Sequence, residues 1–157
     1  MRNKEIKLND IWNEEKRKSL NEFILSVSEK QTKDRKIKNE LLSIKFQIED
    51  YIESNNPSVK LQLLDFVKLY LRTFNITQRK LADLFEMKDS NLYKYLKGER
   101  KLNPHLVLKL SSFSNISPEY WLRIEVKNEL IEIGKEIKKN NEYKKYDYRN
   151  LLVTSES

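Results

Sequence analysis

Between Leu84 and Arg100 the chain reads LFEMKDSNLYKYLKGER. The chemistry available here is hydrogen bonding and charge. Ser90 and Asn91 are short side chains that both donate and accept. Tyr93, Lys94 and Lys97 follow at close spacing, and Arg100 and Lys101 come just after. At helical periodicity, Leu92, Tyr95 and Leu96 form a packing side. Ser90, Asn91, Tyr93, Lys94 and Lys97 form the outward side. Gly98 stops the run at the position where a helix C-terminus favours glycine. Such a helix either recognises something polar or is the solvated face of an amphipathic element.

The neighbouring elements decide how this face is held. Upstream, a helix over about 58–73 starts near Ser58 and carries Leu61, Leu64, Val67, Leu71 and Phe74 on its buried side. Asn75 breaks it. Thr77 caps a short helix over 78–86, with Leu81, Ala82 and Phe85 inward. The polar break at 86–89 leads into the helix over about 90–97, with Asp89 as its cap. Downstream, Asn103-Pro104 supplies a cap and a proline in the first turn, ahead of Leu106, Val107 and Leu110. Ser117-Pro118-Glu119 repeats that start signal for a helix to about Asn140, lined by Tyr120, Trp121, Ile124, Leu130, Ile131 and Ile137. Two short helices joined by a tight break, between two longer ones, is the layout of a helix-turn-helix core. Ala82 then lets the second helix approach, and Leu92, ten residues on, fills the space.

The N-terminal part reads as two amphipathic helices, 9–28 and 34–54, joined by a polar connection from Lys30 to Lys36. In the second, Ile37, Leu41, Ile44, Ile48, Tyr51 and Ile52 make an apolar stripe. SNNP ends it, since proline disfavours helix in the residue before it. Residues 141–157 lose the period and read as a tail with a short strand or a docked segment. The expectation is an all-α chain in three parts. Residues 1–56 form an N-terminal helical extension, 57–140 a five-helix core, and 141–157 the tail.

The chain has 157 residues, with 38% apolar and 35% charged residues, two glycines and three prolines. So few turn formers argue against a turn-rich β fold. Cysteine is absent and histidine occurs once, as His105, which leaves no basis for a disulfide framework, a metal site or histidine acid–base chemistry. No paired-carboxylate pattern or glycine-rich phosphate loop appears, so neither an enzyme nor a cofactor is expected. No apolar run is long enough to span a bilayer and the start lacks a signal-peptide middle, so the expected compartment is the cytoplasm. The formal net charge is +7. Residues 57–125 hold 12 basic and 7 acidic residues, whereas 1–56 hold 12 and 11. The excess therefore surrounds the segment quoted first, as a polyanion partner would require.

TQRKLADLF, LYKYLKGERKLNPHLVLKL and SPEYWLRIE together resemble the XRE-type helix-turn-helix family and, within it, the HigA-type antitoxins. The resemblance covers about residues 60–130. It is carried by Thr77, Gln78, Leu81, Ala82, Leu92, Leu96, Gly98, Arg100, Leu102, Pro104, Leu108, Leu110, Ser117, Pro118 and Trp121. It implies that the helix at 89–97 enters the major groove of double-stranded operator DNA. The implied DNA contacts are Thr77, Gln78, Arg79, Lys88, Ser90, Asn91, Tyr93, Lys94, Lys97, Arg100 and Lys101. Among these Gln78 anchors a phosphate, and Asn91 has the geometry to read adenine.

The resemblance further implies a homodimer through the last long helix, with Trp121, Ile124 and Ile131 at the interface. It also implies a cognate toxin, a small basic RelE/HigB-like ribonuclease, and repression of the protein's own operon. Residues 1–56 either pack on the core or hold the toxin, with Trp12, Phe23, Ile44 and Ile48 as candidates. The alternatives are a stand-alone XRE-type repressor and a helical adaptor without DNA binding. Two departures stand out. Glu86 occupies a turn position where the family usually has glycine, and Val107 stands where it often has alanine.

Overall fold

The computed structural model describes the backbone of residues 2–55, 59–139 and 141–155, and side chains from Glu14 to Val153 within those ranges. All the described elements are helical. They are α1 (Arg2–Glu53), α2 (Leu63–Phe74), α3 (Gln78–Leu84), α4 (Asp89–Leu96), α5 (Pro104–Ser114) and α6 (Pro118–Lys139). A 3-10 turn at Glu142–Tyr146 and α7 (Arg149–Ser155) follow, in place of the strand expected in the tail. The chain divides into two compact units, Met1–Leu42 and Ser43–Ser157.

The two expected N-terminal helices are one continuous helix, α1. The segment from Lys30 to Lys36 is polar, but its lysines, glutamine and arginine are good helix formers. No proline or glycine occurs before Pro57. Polarity alone removes neither a hydrogen bond nor a backbone conformation, so the helix runs on.

Within the unit Ser43–Ser157, the last turns of α1 are core. Ile44, Ile48 and Tyr51 are buried, so Ile44 and Ile48 present nothing to a toxin. Trp12 lies outside the residues whose side chains are described; Phe23 is exposed.

α1 ends against α6. The Lys127 ammonium donates to the backbone carbonyls of Tyr51, Ile52 and Ser54. It thereby satisfies carbonyls that a helix C-terminus leaves unpaired and places a cation at the negative end of the helix. Burial holds the Lys127 pKa below the usual lysine range. Beside it the Tyr51 hydroxyl donates to Asn128 Oδ1 (2.5 Å) and accepts from the Leu61 N–H (3.0 Å). Asn128 Nδ2 donates to the Leu61 carbonyl (2.8 Å), closing a ring of three bonds. Leu61 is thus held outside the helix in which the sequence reading placed it. α2 begins only at Leu63, where the Gln62 N–H donates to Asp65 Oδ2 (2.8 Å) in a capping box.

The remaining boundaries follow local chemistry. Thr77 accepts from the Lys80 N–H at 3.1 Å and starts α3. Asn103 accepts from the Leu106 N–H at 2.9 Å, with Pro104 in the first turn of α5. Val67, Tyr70, Leu81, Ala82, Leu92, Leu96, Leu110, Trp121 and Ile124 are fully buried. Phe113 joins Tyr70, Phe74 and Phe85 with ring centroids 5.5–6.0 Å apart, in tilted or edge-on geometry. The Trp121 indole N–H donates to Ser114 Oγ (3.1 Å), which itself donates to the Leu110 carbonyl (2.6 Å). Burial pushes the Tyr70 pKa up to about 12, against the lowering effect of Ser114.

Replacing Lys127 removes one donor from three carbonyls. Lys127→Ala is therefore expected to destabilise the protein by about 1–3 kcal/mol, the range for losing a charged donor to part-buried carbonyls. Urea unfolding followed by circular dichroism measures it; an unchanged midpoint would remove this cap from the account.

Candidate nucleic-acid interface

α3 and α4 meet through Ala82 and Leu92, both with no exposed surface. A methyl group on α3 and an isobutyl group on α4 make a close crossing possible. The turn between them is a helix C-cap of the Schellman type. The Met87 N–H donates to the Ala82 carbonyl (3.0 Å) and the Glu86 N–H to the Asp83 carbonyl (3.1 Å). This geometry needs a left-handed residue, and Glu86 is that residue, with φ of 56°. The same motif ends α4. There the Glu99 N–H donates to the Lys94 carbonyl (2.9 Å), and Gly98, at φ of 82°, takes the left-handed position. The Glu86 turn has added support, because the Lys109 ammonium on α5 donates to the Phe85 carbonyl. Nothing local in the sequence pointed to Lys109, which acts across 24 residues.

The start of α4 differs from expectation. Lys88, not Asp89, is the N-cap, and it makes no side-chain capping bond. Asp89 is the first helical residue, where a carboxylate is favoured by the helix dipole. Its Oδ1 accepts from Gln78 Nε2 at 2.7 Å. The expected phosphate anchor therefore ties the start of α3 to the start of α4, with its backbone N–H in the first turn of α3.

The outward set is brought together on α4. Ser90, Tyr93, Lys94 and Lys97 are exposed, Asn91 is half-buried, and Leu92 and Leu96 are fully buried. Lys97 Nζ lies 5.2 Å from the Tyr93 ring centroid, and its pKa is raised by the interaction with the Tyr93 side chain. The Arg100 guanidinium lies 5.9 Å from the Tyr95 ring. Tyr95 is half-buried, and its hydroxyl accepts from Asn103 Nδ2 at 3.3 Å. Thr77, Arg79 and Lys88 are exposed. Arg79, Lys88 and Ser90 share an open depression with Asp83, Glu86, Met87 and Asp89. Lys101 stands apart from this set in its pairing, with Nζ 3.0 Å from Glu129 of α6. The Leu102 N–H donates to Glu125 Oε2 (2.8 Å), fixing the chain just after the basic segment. Burial raises the Glu125 pKa against the lowering effect of that bond.

The expected dimer residues do not form a surface. Trp121 and Ile124 are fully buried in their own core, and Ile131 is half-buried. α6 carries two apolar rows, and the one on the outside is Leu122, Val126, Leu130, Ile133 and Ile137. Among the described residues no group of acidic, histidine or cysteine side chains has metal-site geometry, and no helix is long and apolar enough to cross a membrane.

Residues 67–121 match the family model described as helix-turn-helix. The match runs from the middle of α2 to the first turn of α6 and contains both short helices and the turn. No curated protein and no solved structure matches the chain. These residues are thus similar to helix-turn-helix domains.

A left-handed residue with a side chain costs roughly 1–2 kcal/mol, and glycine gives back part of that through its freer unfolded state. Glu86→Gly is expected to raise stability by roughly 0.5–1 kcal/mol without moving the turn. Thermal unfolding tests this, and a loss of stability would show that the Glu86 side chain contributes more than its backbone costs.

Proposed function

We propose that this protein binds double-stranded DNA through α4 and regulates transcription from the site it binds. The observation that carries the reading is the sorting of α4. Its apolar residues are buried, while Ser90, Asn91, Tyr93, Lys94 and Lys97 are left on one accessible side within a matched helix-turn-helix domain. Short hydrogen-bonding groups stand in the first turn, the end that reaches base edges. Cations stand at the other end and beyond it, suited to phosphates. Asn91 reads a base; Lys94, Lys97 and Arg100 hold the backbone. Thr77, Gln78 and Arg79 add phosphate contacts at the start of α3, and Lys88 adds one at the start of α4. Lys101 leaves an exposed ion pair worth about 0–1 kcal/mol to do the same. A dimer sets two such helices about 34 Å apart on a palindromic operator.

The finer reading is an antitoxin that represses its own operon and neutralises a basic ribonuclease of the RelE/HigB type. The likeness of the segment from Asn103 to Trp121 to HigA-type antitoxins supports it. So does the outer apolar row of α6, a surface suited to a protein partner and separate from the α4 face. An adjacent reading frame encoding a toxic basic protein that co-purifies with this chain is the expected finding. Leu130→Asp with Ile137→Asp is expected to abolish co-purification while leaving DNA binding intact. A wild-type chain that retains no such partner would leave the stand-alone repressor.

For DNA binding, mobility shifts on the protein's own promoter are expected to weaken steeply with salt as counterions are released. Asn91→Ala is expected to cost about 1–3 kcal/mol and to relax sequence preference, whereas Lys97→Ala weakens all sequences alike and flattens the salt slope. Loss of sequence preference from Lys97→Ala and not from Asn91→Ala would reverse these roles. No shift at low salt would sink the DNA-binding reading.

A further inference from the structure

Every described side chain of α1 from Glu14 to Lys36 is exposed, including Phe23 at 65% and Val27 at 38%. Ile24 and Leu25 are exposed to the side, but Leu20, Phe23 and Val27 lie in line. Phe23, Val27, Lys30, Asp34, Ile37 and Leu41 alternate in steps of four and three residues, the seam of a coiled coil. The same steps continue to Ile44, Ile48 and Tyr51, which are buried. The stripe is therefore a burying face that lacks cover over its N-terminal half.

Two charged residues interrupt the stripe at its centre, and they select the occupant. We propose that this stretch of α1 pairs with the same stretch of a second copy of the chain, running antiparallel, in a register centred between Lys30 and Asp34. The layers are Phe23 on Leu41, Val27 on Ile37 and Lys30 on Asp34, each occurring twice by symmetry. Both charges meet an opposite partner. A parallel pair in register sets Lys30 on Lys30 and Asp34 on Asp34, stacking like charges inside the seam. A slip by one heptad sets Lys30 against Leu41 or Val27, leaving a charge against an apolar side chain. Within one helix, a lysine four residues ahead of an acid is the weaker order for an ion pair, so the two charges gain more across chains. The apolar layers supply affinity and the charged layer fixes direction and register. This pairing stands independently of DNA binding, and it gives the domain a dimer without using either apolar row of α6.

The chain has no cysteine, so introduced thiols report geometry cleanly. In the full-length protein, Val27→Cys combined with Ile37→Cys is expected to give a covalent dimer under mild oxidation, read on a non-reducing gel. Within one helix these positions are about 15 Å apart, too far for a disulfide. Each single cysteine variant is expected to stay uncrosslinked, because in this register neither position meets itself. Sedimentation equilibrium provides a second readout without thiols. Asp34→Lys is expected to weaken the dimer at least tenfold, and Lys30→Asp added to it restores the dimer. Circular dichroism confirms that the variants remain helical. Efficient crosslinking of the single variants would show a parallel pair. A monomeric wild-type chain, or a dimer indifferent to Asp34→Lys, would overturn the proposal, whereas a mobility shift retained at low salt would leave DNA binding through α4 standing.

Discussion

The reversal of the chain at Phe85–Lys88 is the constraint on which the rest of the helix-turn-helix unit depends. An α-helix leaves its last carbonyls without donors, and two of these are met by N–H groups inside the turn, at Glu86 and Met87. That solution forces Glu86 into the left-handed region. In return it aims α4 across α3, so that Leu92 is enclosed and the first turn of α4 is left open. The Phe85 carbonyl takes the Lys109 ammonium, so α5 helps hold the turn. Strain of about 1–2 kcal/mol is sustained because the turn is overdetermined from three directions. Backbone bonds close it from within, Ala82 and Leu92 fix the crossing, and Lys109 holds it from outside.

A second polar cluster, at the other side of the unit, sets where α1 and α2 join the bundle. Lys127 and Asn128 are adjacent on α6 and divide the work. Lys127 closes the end of α1, while Asn128 and the Tyr51 hydroxyl bind the Leu61 backbone. A helix of 52 residues needs a firm stop, and here the stop comes from a residue more than 70 positions away. Exposed surface pairs such as Arg123–Glu119 are minor by comparison, since solvent screens them.

What was legible in the sequence was local. Thr77, Asn103-Pro104 and Gly98 fixed boundaries because capping depends on residues within one turn. Ala82 and Leu92 marked the crossing because their sizes matter at a fixed separation. What was not legible depended on which partner a face meets. Both rows of α6 are apolar, and periodicity alone does not say which turns inward; Trp121 and Ile124 went to the core and Leu130 to the surface. For the same reason periodicity left Ile44 and Ile48 open between core packing and a partner surface, and they are buried. The polar stretch from Lys30 to Lys36 was read as a connection because polarity and flexibility were treated as one property. Gln78 was assigned a phosphate, but its side chain also has an acceptor eleven residues on, in Asp89.

That Gln78–Asp89 bond bears on how an acidic residue is tolerated beside a polyanion. Asp83, Glu86 and Asp89 border the same depression as Arg79 and Lys88. Left bare, a carboxylate at the head of α4 would repel the phosphates that flank a groove. Asp89 is instead held at 2.7 Å by the Gln78 amide and sits on the positive end of α4. Asp89 remains exposed, but its carboxylate has the helix dipole and the Gln78 amide as partners. Ser90 and Asn91, the next two residues, then lead the approach. Glu86 is turned by its left-handed backbone and lies before the helix, on the side opposite its basic end. In the proposed complex the acids of the turn would confine DNA to the face bounded by Ser90 and Arg100. After Asp89 the only charge within α4 is Lys94, and Lys97 follows at its C-cap, so the charge along the helix runs from acidic at its start to basic at its end.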